Sequence, residues 1–173
     1  MKTIKTKTGM VIGAMLAALL FGNQPALAAN KHKAEAAAGL TQQQVTQFLQ
    51  QLDDQAMQKN VNGVMAHFDA TAQVVVLAPT PQGPQPMNFG FEDYRRLMEA
   101  TLSSAGEYKV RRQDVAVHVS GADKAVVTDI NFETLVTQAK TIKTIANEQM
   151  EIVRVDGKLK LTRLNSQVLS TTE

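Results

Sequence analysis

Apolar residues recur along this chain in two rhythms, three or four apart in its first half and every second residue in its last third. Val45, Phe48, Leu49, Leu52 and Ala56 keep helical spacing within LTQQQVTQFLQQLDDQAMQ, so a helix with one apolar stripe is predicted over Leu40–Gln58. Thr41 precedes the stripe and Gln44 comes three residues later, the spacing of a capping box. NVNGVMAHFD predicts a shorter second helix over Asn60–Asp69, weakened only modestly by Gly63. The β-branched run TAQVVVLAPT predicts a strand over Thr71–Thr80. PTPQGPQP, Pro79–Pro86, holds four of the five prolines and cannot continue a sheet interior, so it is expected to be a stiff surface connection, or else a rim or lid. FEDYRRLMEATLSSAG predicts a third helix, with Phe91, Tyr94, Leu97, Met98 and Leu102 on one face and Gly106 at its end.

From Glu107 onward the rhythm is that of strands. YKVRRQDVAVHVSG, KAVVTDINFETLVT, KTIKTIANEQMEIVRV and KLKLTRLNSQVLS succeed one another, with SGADK and VDGK as turns. Helices first and antiparallel strands last predict an α+β fold. Asp156-Gly157 as a two-residue turn sets Arg154 opposite Leu159, Ile152 opposite Leu161, Met150 opposite Arg163 and Glu148 opposite Asn165. One face of that hairpin is then apolar near the turn and polar further out. In the strands before it, Val115, Val117 and Val119 share a face with Ala125 and Val127, which continues into Gln113, Asp129, Asn131 and Glu133. A turn at Gln138-Ala139 would put Asp129 opposite Glu148, in a register that a one-residue slip would reverse.

The beginning of the chain changes the charge argument. Lys2, Lys5 and Lys7, the apolar run Met10–Gly22, and Ala26 and Ala28 before a cleavage point form the pattern of a secretory signal peptide over 1–28. The apolar run is shorter than the roughly 20 residues of a membrane-spanning helix, which argues against an anchor. Removal of these 28 of the 173 residues leaves 145, one domain's worth, expected as a flexible leader over 29–39 and a single domain over 40–170. It also takes away three of the 18 basic residues, so the remainder nearly balances the 16 acidic ones and offers no reason to expect nucleic acid or an anionic membrane as partner. No cysteine is present, which excludes disulfides, thiolate metal sites and a cysteine nucleophile. The expected location is the periplasm or the medium of a bacterium.

The order of elements, with LQQLDDQAMQKNVNGVMAHFDATAQVVV, FEDYRRLMEATL, QDVAVHVSGADKAVVTD and the closing hairpin EIVRVDGKLKLTRLNSQ, resembles the nuclear-transport-factor-2-like superfamily and its SnoaL-like, cystatin-like bacterial members. The chain departs from the common pattern in having Lys158-Leu159, and no tryptophan, after the Asp-Gly turn. The resemblance implies three helices wrapped by a strongly bent, mostly antiparallel sheet, a cone with a pocket at its open end. It also implies dimerisation through the far face of the sheet. Val126, Thr128, Ile130, Phe132, Ile145, Val153, Leu164 and Val168 are expected there, an apolar set for a wet surface. Members range from isomerases and dehydratases to binding domains without chemistry, so the fold does not choose the activity.

In such a cone the polar end of the hairpin faces the pocket. The residues expected to line it are Tyr94, Asp129, Asn131, Glu148, Met150, Arg163 and Asn165. Asp129 and Glu148 are the candidate catalytic pair, since neighbouring carboxylates repel and one tends to stay protonated. Their bland alternative is a structural ion pair of Glu148 with Arg163. His67 and His118 fit a solvated helix end and an outward strand position, and no spacing suggests a metal site or a cofactor. Arg95-Arg96 and Arg111-Arg112 read as solvated faces. The expected function is binding of a small, partly apolar molecule by an exported homodimer. An isomerase, dehydratase or hydrolase using the carboxylate pair, and a protein-interaction module acting through the sheet face, are the alternatives.

Overall fold

The computed structural model describes residues 39–172. The expected signal peptide and all of the leader except Gly39 lie outside the described residues. Three helices, α1 (Gln42–Met57), α2 (Val61–Met65) and α3 (Phe91–Ser104), cover one face of a six-stranded sheet. The strands are β1 (Phe68–Ala78), β2 (Gln85–Gly90), β3 (Glu107–Ser120), β4 (Lys124–Val136), β5 (Thr141–Val155) and β6 (Lys158–Thr172). Their order is β2-β1-β6-β5-β4-β3, antiparallel throughout except that β1 runs parallel to β6.

Helix α1 starts as its sequence predicts. The Thr41 hydroxyl accepts from the Gln44 amide at 3.2 Å, and the Gln44 side chain accepts from the Thr41 amide at 3.0 Å. Its stripe of Val45, Phe48, Leu49 and Leu52 is buried against the sheet. Helix α2 is only five residues long, because Phe68 already starts β1. The His67 ring stays at that junction, with Nδ1 2.8 Å from the Gly63 carbonyl and its ring centre 5.1 Å from that of Phe48. The proline-rich segment ends in an unexpected strand. Residues 85–90 pair with β1 as an edge strand, where Pro86 is tolerated because an edge has hydrogen bonds to spare.

The sheet's inner face supplies the rest of the core: Phe68, Val74, Ala125, Val127, Met150, Ile152, Leu161 and Leu164. Three single-residue bulges in β3 and β6, together with an irregularity of β1 between Phe68 and Gln73, decide which side chains join it. Asp114 and Val115 together oppose Asp129, so β3 changes phase between Gln113 and Ala116. Asp114 takes the left-handed conformation there, with φ of 52°, which aspartate tolerates better than most residues. In β6, Thr162 is the extra residue between the pairs Ile152–Leu161 and Glu151–Arg163, and Leu169 is the extra one between Ala146–Val168 and Ile145–Ser170. Each extra residue reverses the facing of the rest of its strand.

Register across the other turns is as the sequence indicates. Arg154 pairs with Leu159 and Ile152 with Leu161, and Asp129 lies opposite Glu148. The Ile152 and Leu161 side chains are completely buried. Leu161→Ala should therefore lower unfolding stability by about 2–5 kcal/mol, the range for a large core residue cut to alanine; urea titration followed by circular dichroism measures it.

Candidate functional site

At the centre of the inner face stands a charged residue. Tyr108, Val110 and Arg112 alternate on β3, and the Asp114 bulge keeps this even-numbered series pointing inward before Val117 and Val119 take over. Arg112 is only 10% exposed and uses its whole fork. Nε and Nη2 donate to Asp53 of α1 at 2.9–3.1 Å. Nη1 donates to Asp129 of β4 at 2.8 Å and to Glu148 of β5 at 2.9 Å. A second layer adjoins this cluster. The Asn131 amide donates to Glu148 Oε1 at 3.3 Å and to Glu133 Oε1 at 3.1 Å, and Tyr108 lines the same cavities as Glu133. Asp129 Oδ1 and Asn131 Oδ1 are buried and accept no hydrogen bond from the protein.

One guanidinium thus serves several carboxyl groups. Burial would make Arg112 easier to deprotonate, but Glu148, Asp53 and Asp129 together more than offset it and hold the charge in place. The carboxyls are pushed the other way. Burial raises Glu148 to about 7, opposed by Arg112 and reinforced by Glu133 and Asp129. Asp129 and Glu133 are also raised, mainly by burial. Burial, then the charges of Glu133 and Glu148, push the Tyr94 phenol up. Glu148 can therefore hold or release a proton near neutral pH.

Two adjoining cavities meet these groups. The inner one, about 50 Å³, lies between α1, α2 and the sheet. The outer one, about 170 Å³, opens between α3 and strands β1, β4, β5 and β6, with the 39% exposed Leu97 at its edge. Both are lined by Tyr94, Met98, Tyr108, Asn131, Glu133, Glu148 and Leu164. The walls are apolar and the polar atoms converge on one side, the usual make-up of a small-ligand site.

Five of the seven expected lining residues share this environment. Tyr94, Asn131 and Glu148 line both cavities, Met150 lines the inner one, and the Asp129 side chain is buried beside Arg112. Arg163 and Asn165 lie outside these two cavities, although Asn165 lines, with Asp129 and Glu148, a separate cavity of about 520 Å³. The Thr162 bulge pairs Arg163 with Glu151 and Asn165 with Gln149 on the outer face, where Arg163 bonds Glu151 at 3.6 Å. The ion pair expected between Glu148 and Arg163 is replaced by that of Glu148 with Arg112. The same bulge turns Leu164, expected outside, into the core, and Val168 lines the outer cavity. Gln113 leaves the inner face for the same kind of reason, and Val115 is exposed. Asp53 and Arg112 were not expected in the site. The phase change from Tyr108 and Val110 to Val115, Val117 and Val119 is the sequence signal that would have found Arg112. No residue of Pro79–Pro86 lines either cavity. Among the described residues no cluster of histidine, aspartate and glutamate could hold a metal ion.

The charge arrangement has a pH signature. Glu148 binds its proton more tightly folded than unfolded, so its contribution to stability is complete below about 4.5 and is lost as pH rises towards 7. Asp129 and Glu133, also raised, act in the same direction. The lowered carboxyls, Asp69 and Glu151, lose their contribution only in more acid solution. The Glu148 contribution alone should lower unfolding stability by about 3 kcal/mol between pH 5 and 8. In Glu148→Gln the fall should be much smaller; urea midpoints across that range test it.

No family model matches the sequence, and no curated protein matches it. Solved structures do. An NTF2-like protein of unknown function from Pseudomonas putida has 13% identity and a TM-score of 0.58, covering 71% of this chain and 82% of its own. A hexachlorocyclohexane dehydrochlorinase from Novosphingobium barchaimii has 14% identity and a TM-score of 0.58, covering 83% and 92%. A protein of unknown function with a cystatin-like fold from Nostoc punctiforme has 14% identity and a TM-score of 0.56, covering 75% and 94%. At these identities the likeness is one of fold alone, and the fold of this chain is NTF2-like.

Proposed function

We propose that this protein is an exported binder of a small, partly apolar molecule held between the helices and the inner sheet face. The observation that carries this reading is the pair of adjoining cavities whose shared wall joins Tyr94, Met98 and Leu164 to Asn131, Glu133 and Glu148. An apolar body fits the former and a polar end the latter. The cavity volumes, about 50 and 170 Å³, favour a compact ligand, since sites for drug-sized molecules run from about 300 Å³. Thr101 lines the outer cavity only, away from the charged cluster. Native mass spectrometry of protein released gently from its host should show an adduct of defined mass, and Thr101→Trp should lose it while remaining folded. A bare wild-type protein would count against the reading.

A second reading rests on Glu148. A carboxyl that titrates near 7 and lines both cavities is suited to general acid–base catalysis. In this reading Glu148 moves the proton, Asp129 and Arg112 hold its orientation, and Asn131 positions the substrate. Turnover would then change with a midpoint near the Glu148 value of about 7, and Glu148→Gln would lower kcat by roughly 100-fold or more. An unchanged kcat in that variant would remove it.

The outer sheet face supports a homodimer as part of the same proposal. Ile130, Phe132 and Ile145 are half-buried there, and Arg111 stacks on Phe132 at 4.4 Å. Sedimentation at micromolar concentration should give a dimer that Phe132→Glu dissociates.

A further inference from the structure

The ligand's polar end has a chemistry that the site's own hydrogen bonds restrict. Arg112 is the only cation of the cluster among the described residues, and all of its nitrogens already face carboxylates, Nε and Nη2 on Asp53 and Nη1 on Asp129 and Glu148. Four of its five N–H groups are taken in this way, so an anionic ligand would find at most one donor on it. Among the atoms left over, the two that are buried without any partner are acceptors, while the Tyr94 and Tyr108 hydroxyls in the same walls can either donate or accept. Asn131 is 3% exposed, and its amide nitrogen is fixed on Glu133 and Glu148, so Oδ1 is left without a donor. Asp129, 5% exposed, likewise keeps Oδ1 bare. Three carboxyl groups, Asp53, Asp129 and Glu148, bond the one guanidinium and a fourth, Glu133, adjoins through Asn131, so acidic groups outnumber the cation in this wall. The rings of Phe68 and Tyr94, with centres 5.2 Å apart, also line the inner cavity.

Building on the small-ligand reading above, we infer that the cavity selects a compact molecule carrying a protonated amine, whose N–H groups reach the bare Asn131 oxygen and the Glu133 and Glu148 carboxylates. An ammonium supplies up to three donors and one positive charge, matching what this wall lacks. The apolar remainder lies against Met98, Leu164 and Val76 in the outer cavity. An organic cation fits better than a metal ion, given the absence of a metal-holding cluster among the described residues.

Three probes with one apolar body test the inference by calorimetry at pH 7.5: cyclohexylmethylamine, cyclohexylmethanol and cyclohexanecarboxylate. The amine should bind at least tenfold more tightly than the alcohol, and the carboxylate most weakly. In Glu133→Gln and in Asn131→Ser, each checked for folding by its melting curve, the amine's advantage over the alcohol should fall below threefold. If one variant fails to fold, the other carries the comparison. Equal or tighter binding of the alcohol or the carboxylate, blocked by Thr101→Trp, would overturn the amine preference and leave the pocket standing. No binding of any probe would overturn the inference too. It would spare the pocket reading only if native mass spectrometry still showed an adduct sensitive to Thr101→Trp.

Discussion

The guanidinium of Arg112, held inside the sheet by carboxylates from three other elements, is the interaction on which the site depends. Asp53 comes from α1, Asp129 from β4 and Glu148 from β5, so one side chain fixes the helix against three neighbouring strands. Such a cluster is costly to desolvate, and its attraction offsets the cost only when the geometry is good and most lone pairs are used. Here every nitrogen of Arg112 has a carboxylate partner, yet the carboxyls outnumber it. Burial, reinforced by the neighbouring carboxyls, raises Glu148 to about 7, and Asp129 Oδ1 and Asn131 Oδ1 stay buried without donors. Apolar residues of the same volume would pack as well, but they would leave no polar wall for a ligand.

Bulges make this arrangement possible in a sheet that must also close a core. A regular β3 would place either Arg112 or Val117 inside, but not both, because they differ by an odd number of positions. The extra residue at Asp114 lets both point inward. It also exposes Val115 and opens a groove between α1 and β3, lined by Gln42, Leu49, Asp53, Arg112 and Val117. In β6 the extra Thr162 exchanges Arg163 for Leu164 at the cavity, its hydroxyl donating to the Glu151 carbonyl at 3.3 Å. The cavity therefore acquires an apolar wall where an uninterrupted strand would have supplied another cation.

Much of the fold was legible because it rests on local rules. The capping box at Thr41, the stripe from Val45 to Leu52, the Asp-Gly turn at 156–157 and the alternation from Ala125 to Glu133 each depend on residues close together in the chain. Asp129 opposite Glu148 follows if the chain turns at Gln138-Ala139, but that turn has no glycine to fix it, and strand pairing decides the register. Short segments competing with neighbours were harder to read. Phe68 fits the helical spacing of α2 but begins β1 instead, because strand pairing outweighs a single turn of helix. Residues 85–90 form a strand only because β1 offers its free edge.

The sequence by itself determined the α+β class, the order of its elements, and the inward facing of Asp129, Asn131 and Glu148, all consequences of short-range periodicity and turn chemistry. Only the tertiary structure decided that Arg112 joins them while Arg163 and Asn165 do not. The physical reason is that a bulge depends on what its strand meets across the sheet as well as on a residue, such as Asp114, that tolerates the local backbone. The even-numbered Tyr108 and Val110 before the odd-numbered valines, and Leu159 and Leu161 before Leu164, mark where the phase must change. They do not say which residue is extra, and that choice fixes the charge of the cavity wall.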